Sequence, residues 1–173
     1  MRREDKSTLK NGHIDTMIKP KGRRIGLIRL SAIGDVCHAV ATVQALQRHA
    51  PEDDITWIIG RTEAALIADL PGITFVIFDK KQGLKWFLEV LKAIPAPFDV
   101  LLHMQVSLRA NLLAAVVPAK IKWGFPKHLS KELHGLAINR RVPMPETPHV
   151  LEGFQHFAYA LGVPAFTPKW SIP

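Results

Sequence analysis

"RRIGLIRLSAIGDVCHAV", residues 23–40, decides how this chain folds. Residues 23–30 form a short β-rich run that closes on Ser31 and Gly34. From Asp35 onward Val36, Val40, Val43 and Leu46 recur close to helical spacing until Pro51. The stretch 35–50 therefore reads as a helix. A strand, a tight polar turn and a helix make the first half of a βαβ unit. The turn holds one glycine, followed at once by an acid, Asp35. A carboxylate there has two uses. It can cap the helix or sit in its first turn, which stabilises a helix by about 1 kcal/mol. It can also take a proton from a bound hydroxyl, if the turn lines a ligand site.

The same alternation runs on down the chain. Further strands are predicted at 54–60, 73–79, 98–105 and 120–125. Helices are predicted at 62–70, 83–94, 107–117 and 129–138, and an amphipathic one at 149–163. Strands two to four are nearly all apolar, as expected of strands buried on both faces. The fold class is α/β, a Rossmann-like doubly wound parallel sheet. Ligands on such sheets sit beyond the carboxyl ends of the strands. That puts the loops Ser31–Asp35, Gly60–Arg61, His103–Ser107 and Gly124–Lys127 on one rim. Ser31, Gly34, Arg61 and Gln105 are the candidate binding residues there, beside Asp35. His38, one turn after Asp35, reads either as a plain polar helix residue or as one that packs against Asp35 and steers it.

With 173 residues and 47% apolar content, the chain suffices for one domain. Its boundaries read as a basic leader over 1–22, the domain over 23–163, and a connecting segment over 164–173. The single cysteine, Cys37, reads as a small buried residue, admits no internal disulfide and fits a reducing compartment. The eight histidines never take ligand spacing, and Asp-x-Asp is absent, so no metal is expected. "SAIGD" is not the G-x-G-x-x-G fingerprint, and no P-loop occurs. No apolar run of about 18 residues is present to span a bilayer.

The formal charge of +8 is concentrated in two patches. Residues 1–24 carry eight Lys/Arg against three acids, and residues 117–141 carry six against one. In the second patch Arg140 and Arg141 join Lys120, Lys122, Lys127 and Lys131. Such patches attract anions, whether phosphorylated sugars, an anionic membrane surface or nucleic acid. Only Trp123 and Phe125 offer stacking rings in the second patch, which disfavours nucleic acid.

The order of motifs resembles glycosyltransferase family 9, the bacterial lipopolysaccharide heptosyltransferases. "IGLIRLSAIGDVCHAVATVQALQRHAPEDDITWIIG" is similar to their strand, R-x-S-x-x-G-D-V-x-H loop and helix. "FDVLLHMQVSLRANLLA", "KIKWGF", "INRRV" and "HVLEGFQHFAYALGV" resemble later segments in the same order. His103 and Val106 depart from the acid and the glycine usual at those places. The resemblance implies the N-terminal, acceptor-binding half of a GT-B fold, with Asp35 as general base. It implies that Ser31, Gly34, Arg61, Gln105, Arg140 and Arg141 face an anionic Kdo–lipid A acceptor. It places ADP-heptose, the donor, in a domain beyond "TPKWSIP" or on a separately encoded partner, so that these residues alone would not transfer sugar. No cofactor is implied, and a cytoplasmic position peripheral to the inner membrane surface is. A non-catalytic anionic glycolipid-binding domain, a subunit of a split transferase and a basic nucleic-acid binder are the competing readings.

Overall fold

The computed structural model describes residues 22–131 and 133–172. The basic leader expected over 1–22 therefore lies almost wholly outside the described residues. Eleven elements follow one another: β1 (Arg24–Ile28), α1 (Ile33–His49), β2 (Asp54–Gly60), α2 (Arg61–Ile67), β3 (Ile73–Phe78), α3 (Lys85–Ala93), β4 (Phe98–His103), α4 (Leu108–Val116), β5 (Ala119–Gly124), β6 (Arg140–Arg141) and α5 (Val150–Ala160). The strands form one sheet in the order β3-β2-β1-β4-β5-β6. Every pairing is parallel. The order reverses between β1 and β4, which is where a doubly wound sheet opens a crevice for ligand.

Alternation along the strands sends side chains to two cores. Ile25 and Leu27 of β1 face one core, with Trp57 of β2, Leu102 of β4 and the buried sides of α1, α2 and α5. Ile28 faces the other, with Ile58, Leu101 and the buried sides of α3 and α4. Gly26 points to this second side, where a Cβ would stand 2.7 Å from the Phe98 ring. The glycine is what lets Phe98 fill the space under β1. Two residues of the basic N-terminal stretch are fold anchors. Arg23 pairs with Asp53 at 2.7 Å. The Arg24 amide donates to Asp99 at 2.9 Å.

The structure departs from the sequence reading at several places. α1 starts at Ile33 with Ala32 as its N-cap and no side-chain cap. The helix begins two residues earlier than expected, and of the two structural places open to Asp35 it takes the first turn and not the cap. β3 is an edge strand with Ile77 40% exposed, not a strand covered on both faces. The helix expected over 129–138 is replaced by two short 3₁₀ turns, Lys127–Leu129 and His134–Leu136. Leu133 between them takes φ 65, a left-handed conformation that breaks an α-helix. The sixth strand, β6, was not anticipated, because two charged residues carry no strand pattern. Beyond α5 the chain turns back onto α1: Trp170 Nε1 donates to the Cys37 carbonyl at 2.8 Å, and Ser171 exchanges hydrogen bonds with Gln44. Cys37 itself is half-buried rather than buried.

Candidate active site at the carboxyl rim

Past Ile28 the chain of β1 continues through Arg29 and Leu30 to the turn Ser31–Ala32. Its course is fixed from both sides. The Leu30 and Ser31 amides donate to Gln105 Oε1 at 2.7 and 3.2 Å. Gln105 Nε2 donates to Ser107 Oγ at 3.2 Å, and that hydroxyl accepts from Ala110 N at the start of α4. On the other side the Gly60 amide donates to the Leu30 carbonyl at 3.0 Å. A Cβ at Gly60 would run into that same carbonyl, so a glycine lets the ends of β1 and β2 close up. Gln105, a candidate ligand contact, thus spends its polar atoms on positioning the turn.

Two cavities open on either side of this turn. The first, about 520 Å3, is lined by Ser31, Arg61 and Gln105 together with Asp79, Lys80, Lys81 and Arg109, among others. Four cations and two acids (Glu63 and Asp79) line it. Arg61 is the first residue of α2, and its side chain is 66% exposed. Its Nη2 lies 3.0 Å from Asp79 Oδ2. Asp79 Oδ1 accepts from the Lys81 amide at 3.0 Å. That amide, and then the Arg61 charge, hold the Asp79 carboxyl below its ordinary range. The acid presents the arginine to the cavity while leaving most of it in solvent.

The second cavity, about 240 Å3, is lined by Arg29, Asp35, Val106, Phe125, His149 and Phe154, among others. Arg29 is 9% exposed. Its Nη1 donates to the Met104 carbonyl at 2.7 Å. Its Nη2 pairs with Asp35 Oδ2. Its Cζ lies 5.3 Å from the centre of the Phe154 ring, a cation–π distance. Burial lowers the Arg29 pKa and the Asp35 charge opposes the shift, yet an arginine stays protonated in either case. Asp35 Oδ2 is engaged by Arg29, and Oδ1 makes no hydrogen bond among the described residues. No hydrogen bond joins His38 to Asp35 among the described residues, and His38 Nδ1 is buried with no hydrogen-bond partner.

Gly34 lies between Asp35 and the turn. A Cβ built there meets nothing within 4 Å, so packing does not call for a glycine. The rim surface over Gly34 is open.

Arg140 and Arg141 stand apart from both cavities, on β6 at the far edge of the sheet. Arg140 is exposed and donates to the carbonyl of its neighbour Asn139 at 2.9 Å. Arg141 Nη1 donates to the Phe125 carbonyl at 2.9 Å and to Ser130 Oγ at 3.1 Å. The candidate residues are thus divided: Ser31, Arg61 and Gln105 in one cavity, Asp35 in the other, Gly34 between, and the two arginines at the edge. Arg29 was missed as a site residue. The signal for it was a lone charge in the apolar run "IGLIRL". No group of three or more His, Cys, Asp or Glu able to hold a metal occurs among the described residues.

Residues 88–173 match the model of glycosyltransferase family 9 (heptosyltransferase). Over 147 residues the chain is 46% identical to the lipopolysaccharide core heptosyltransferase OpsX of Haemophilus influenzae, covering 84% of this chain and 42% of the relative. The chain therefore spans less than half the length of that curated relative. Two solved structures share the fold. A family 9 glycosyl transferase from Veillonella parvula matches at a TM-score of 0.73 with 22% identity, over 84% of this chain and 43% of the other. The heptosyltransferase WaaC of E. coli, solved with ADP, matches at 0.73 with 19% identity, over 84% and 50%.

Proposed function

The chain belongs to glycosyltransferase family 9, and from that premise we propose that it is the acceptor-binding half of a heptosyltransferase of the lipopolysaccharide core. The acceptor is an anionic Kdo–lipid A saccharide, and the donor is ADP-heptose held by a second domain outside these residues. The first cavity takes the acceptor's carboxylate or phosphate groups against Arg61, Lys80, Lys81 and Arg109, where charge-assisted hydrogen bonds are strongest. The saccharide crosses the open surface at Gly34, and its reacting hydroxyl meets Asp35 Oδ1. The hydroxyl oxygen bonds to the anomeric carbon of heptose as the bond from that carbon to ADP breaks. The hydroxyl proton passes to Asp35, and ADP leaves with the electron pair.

The observation that carries this reading is the Arg29–Asp35 pair. A buried guanidinium holds one carboxylate oxygen in place and leaves the other unengaged at a rim cavity, which is how a positioned base is built. A helix-start acid with a structural task alone does not need a buried arginine. Arg140 and Arg141 lie outside both cavities and are not part of this acceptor contact.

The test is Asp35→Asn with a donor domain restored by fusion or co-expression. Turnover should fall by about 10²–10⁴-fold, the usual contribution of a positioned base. A cap would tolerate asparagine, but here the change also leaves Arg29 buried without a counter-charge. A stability loss of about 1–3 kcal/mol is therefore expected, and rates are compared well below the midpoint of unfolding. Retention of most of the activity by folded protein would remove Asp35 from the chemistry. The second reading, a glycolipid-binding domain without catalysis, is favoured by the fact that Arg29 already occupies Asp35 Oδ2; it is the outcome such retention would select.

A further inference from the structure

Two acids stand among the four cations of the first cavity, and they are used differently. Both oxygens of Asp79 are committed. Oδ1 accepts from the Lys81 amide at 3.0 Å. Oδ2 lies 3.0 Å from Arg61 Nη2 and accepts from Arg61 Nε at 3.2 Å. Glu63 has no ion pair and no hydrogen bond from its carboxylate among the described residues. It is half-buried in the first turn of α2. Its Oε2 lies over Gly60, in the space that a Cβ there would fill. The glycine that lets the ends of β1 and β2 close up thus also seats this carboxylate at the cavity.

The fold gives Glu63 no task that calls for this seat. As the third residue of a helix whose N-cap is Gly60, it could bond back to the Gly60 amide, as in a capping box. That amide donates to the Leu30 carbonyl instead, at 3.0 Å. A first-turn acid favours the positive end of its helix whichever way its oxygens point. Towards an anionic ligand a free carboxylate is a handicap, because like charges repel. A carboxylate only accepts hydrogen bonds. What it gains must therefore come from a ligand that brings O–H groups as well as negative charge. The hydroxyl-bearing Ser31 and Thr62 line the same cavity.

We infer that Glu63 determines specificity in the first cavity: it accepts hydrogen bonds from hydroxyl groups of a sugar acid whose anionic groups are held by the cations around it. The cavity then takes a polyhydroxylated anion and discriminates against an anion without hydroxyls. Selective sites combine attraction to one ligand with a penalty on its competitor. Here a bare anion meets the four cations and also an acid that it cannot satisfy. A sugar acid satisfies both. The inference deepens the acceptor reading and rests on it.

The test is Glu63→Gln in the full 173-residue chain, titrated at low salt with two probes. One is a deacylated phosphorylated Kdo saccharide, and the other is inorganic sulfate, an anion that donates no hydrogen bond. Glutamine keeps the size of the side chain and its helix preference, and removes the charge. The variant should bind the saccharide about 3–10-fold more weakly, because a neutral acceptor makes the weaker hydrogen bond. Its affinity for sulfate should hold or rise, because the repulsion is gone. The thermal midpoint should move by no more than about 4 °C, the share of a first-turn charge. A purely structural acid would not split the two probes in this way. Saccharide affinity that is unchanged or tighter in the variant, or a parallel loss for both probes, would overturn the inference while the acceptor reading stands. Failure of the wild-type chain to bind the saccharide would remove the acceptor reading, and the inference with it.

Discussion

Two cationic regions, one around the first cavity and one along the β5–β6 edge of the sheet, use their charges in opposite ways. Around the first cavity Arg61 is 66% exposed, while Lys80, Lys81 and Arg109 have no carboxylate partner among the described residues. Along β5 and β6 the cations serve the fold. Lys120 pairs with Asp99 at 2.7 Å. Lys122 Nζ donates to the Ala114 carbonyl at 2.7 Å and the Ala115 carbonyl at 3.1 Å, acceptors that the end of α4 leaves open. Arg141 holds Phe125 and Ser130. A count of lysines and arginines favours the second region, yet its charges are largely scaffolding. The cleft is where charge is left for a ligand.

The widest gap between the two regions should appear on acidification. The edge is built over a buried polar cluster. His103 Nε2 and His134 Nδ1 both lie against Asn111 Oδ1, at 2.7 and 2.9 Å. The Phe125 amide donates to His134 Nε2 at 3.0 Å, so the His134 proton sits on Nδ1. His103 likewise donates from Nε2, and its Nδ1 is buried without a hydrogen bond. Both rings are neutral. Burial pushes His103 down to about 3, and burial with the Arg141 charge pushes His134 down to about 4. The folded state therefore refuses protons that the unfolded chain accepts below pH about 6.5. Stability is fully present above that pH and falls as pH drops towards about 4, by roughly 1.4 kcal/mol per pH unit for each histidine. Urea unfolding across this window checks the slope. His103→Gln should flatten it, and an unchanged slope would show that the cluster does not carry the acid sensitivity.

The next contrast is between two arginines. Arg61→Ala removes an exposed ion pair, which contributes about 0–1 kcal/mol to stability. It also removes the first cavity's main charge-assisted contact, so affinity for a phosphorylated Kdo saccharide should drop by about 1.5–3 kcal/mol at low salt. Arg141→Ala should do the reverse. It strips a donor from the Phe125 carbonyl and the Ser130 hydroxyl, at a stability cost of about 1–3 kcal/mol, and leaves saccharide affinity unchanged. Calorimetric titration and thermal unfolding measure the two axes. If Arg141 moved affinity and Arg61 did not, the assignment of the two regions would be inverted.

Much of this was legible in the sequence, and the losses have a common cause. The first strand and turn, the parallel alternation and the rim loops follow from apolar runs of adequate length. The family motif around Gly34 and Asp35 carries the candidate base. What did not show is pairwise. Arg141 is held by a carbonyl 16 residues away and Arg29 by one 75 residues away. Nothing local in "INRRV" or "IGLIRL" announces those partners. The helix expected over 129–138 failed for the same reason. His134 turns inward to Asn111 and Phe125, and a continuous helix there would have to give up the left-handed Leu133. Long-range hydrogen bonds overrode a local helical preference.

The smallest effect expected concerns the open surface between the first cavity and Asp35. Gly34 sits in the first turn of α1, where nothing lies within 4 Å of a modest side chain. Alanine in a helix is more favourable than glycine by up to about 0.5–1 kcal/mol, because glycine loses more backbone freedom on folding. Gly34→Ala should therefore raise stability slightly, by about 0.5 kcal/mol or less so near the helix end. If the saccharide crosses the rim at this point, the added methyl stands in its path. Acceptor affinity or turnover should fall while the fold gains. Thermal unfolding and saccharide titration on the same preparation measure both quantities. A stabilised variant with undiminished binding would mean that the acceptor does not pass over Gly34. The route from the cationic cavity to Asp35 would then have to run elsewhere along the rim, although Arg61 and Asp35 kept their separate roles.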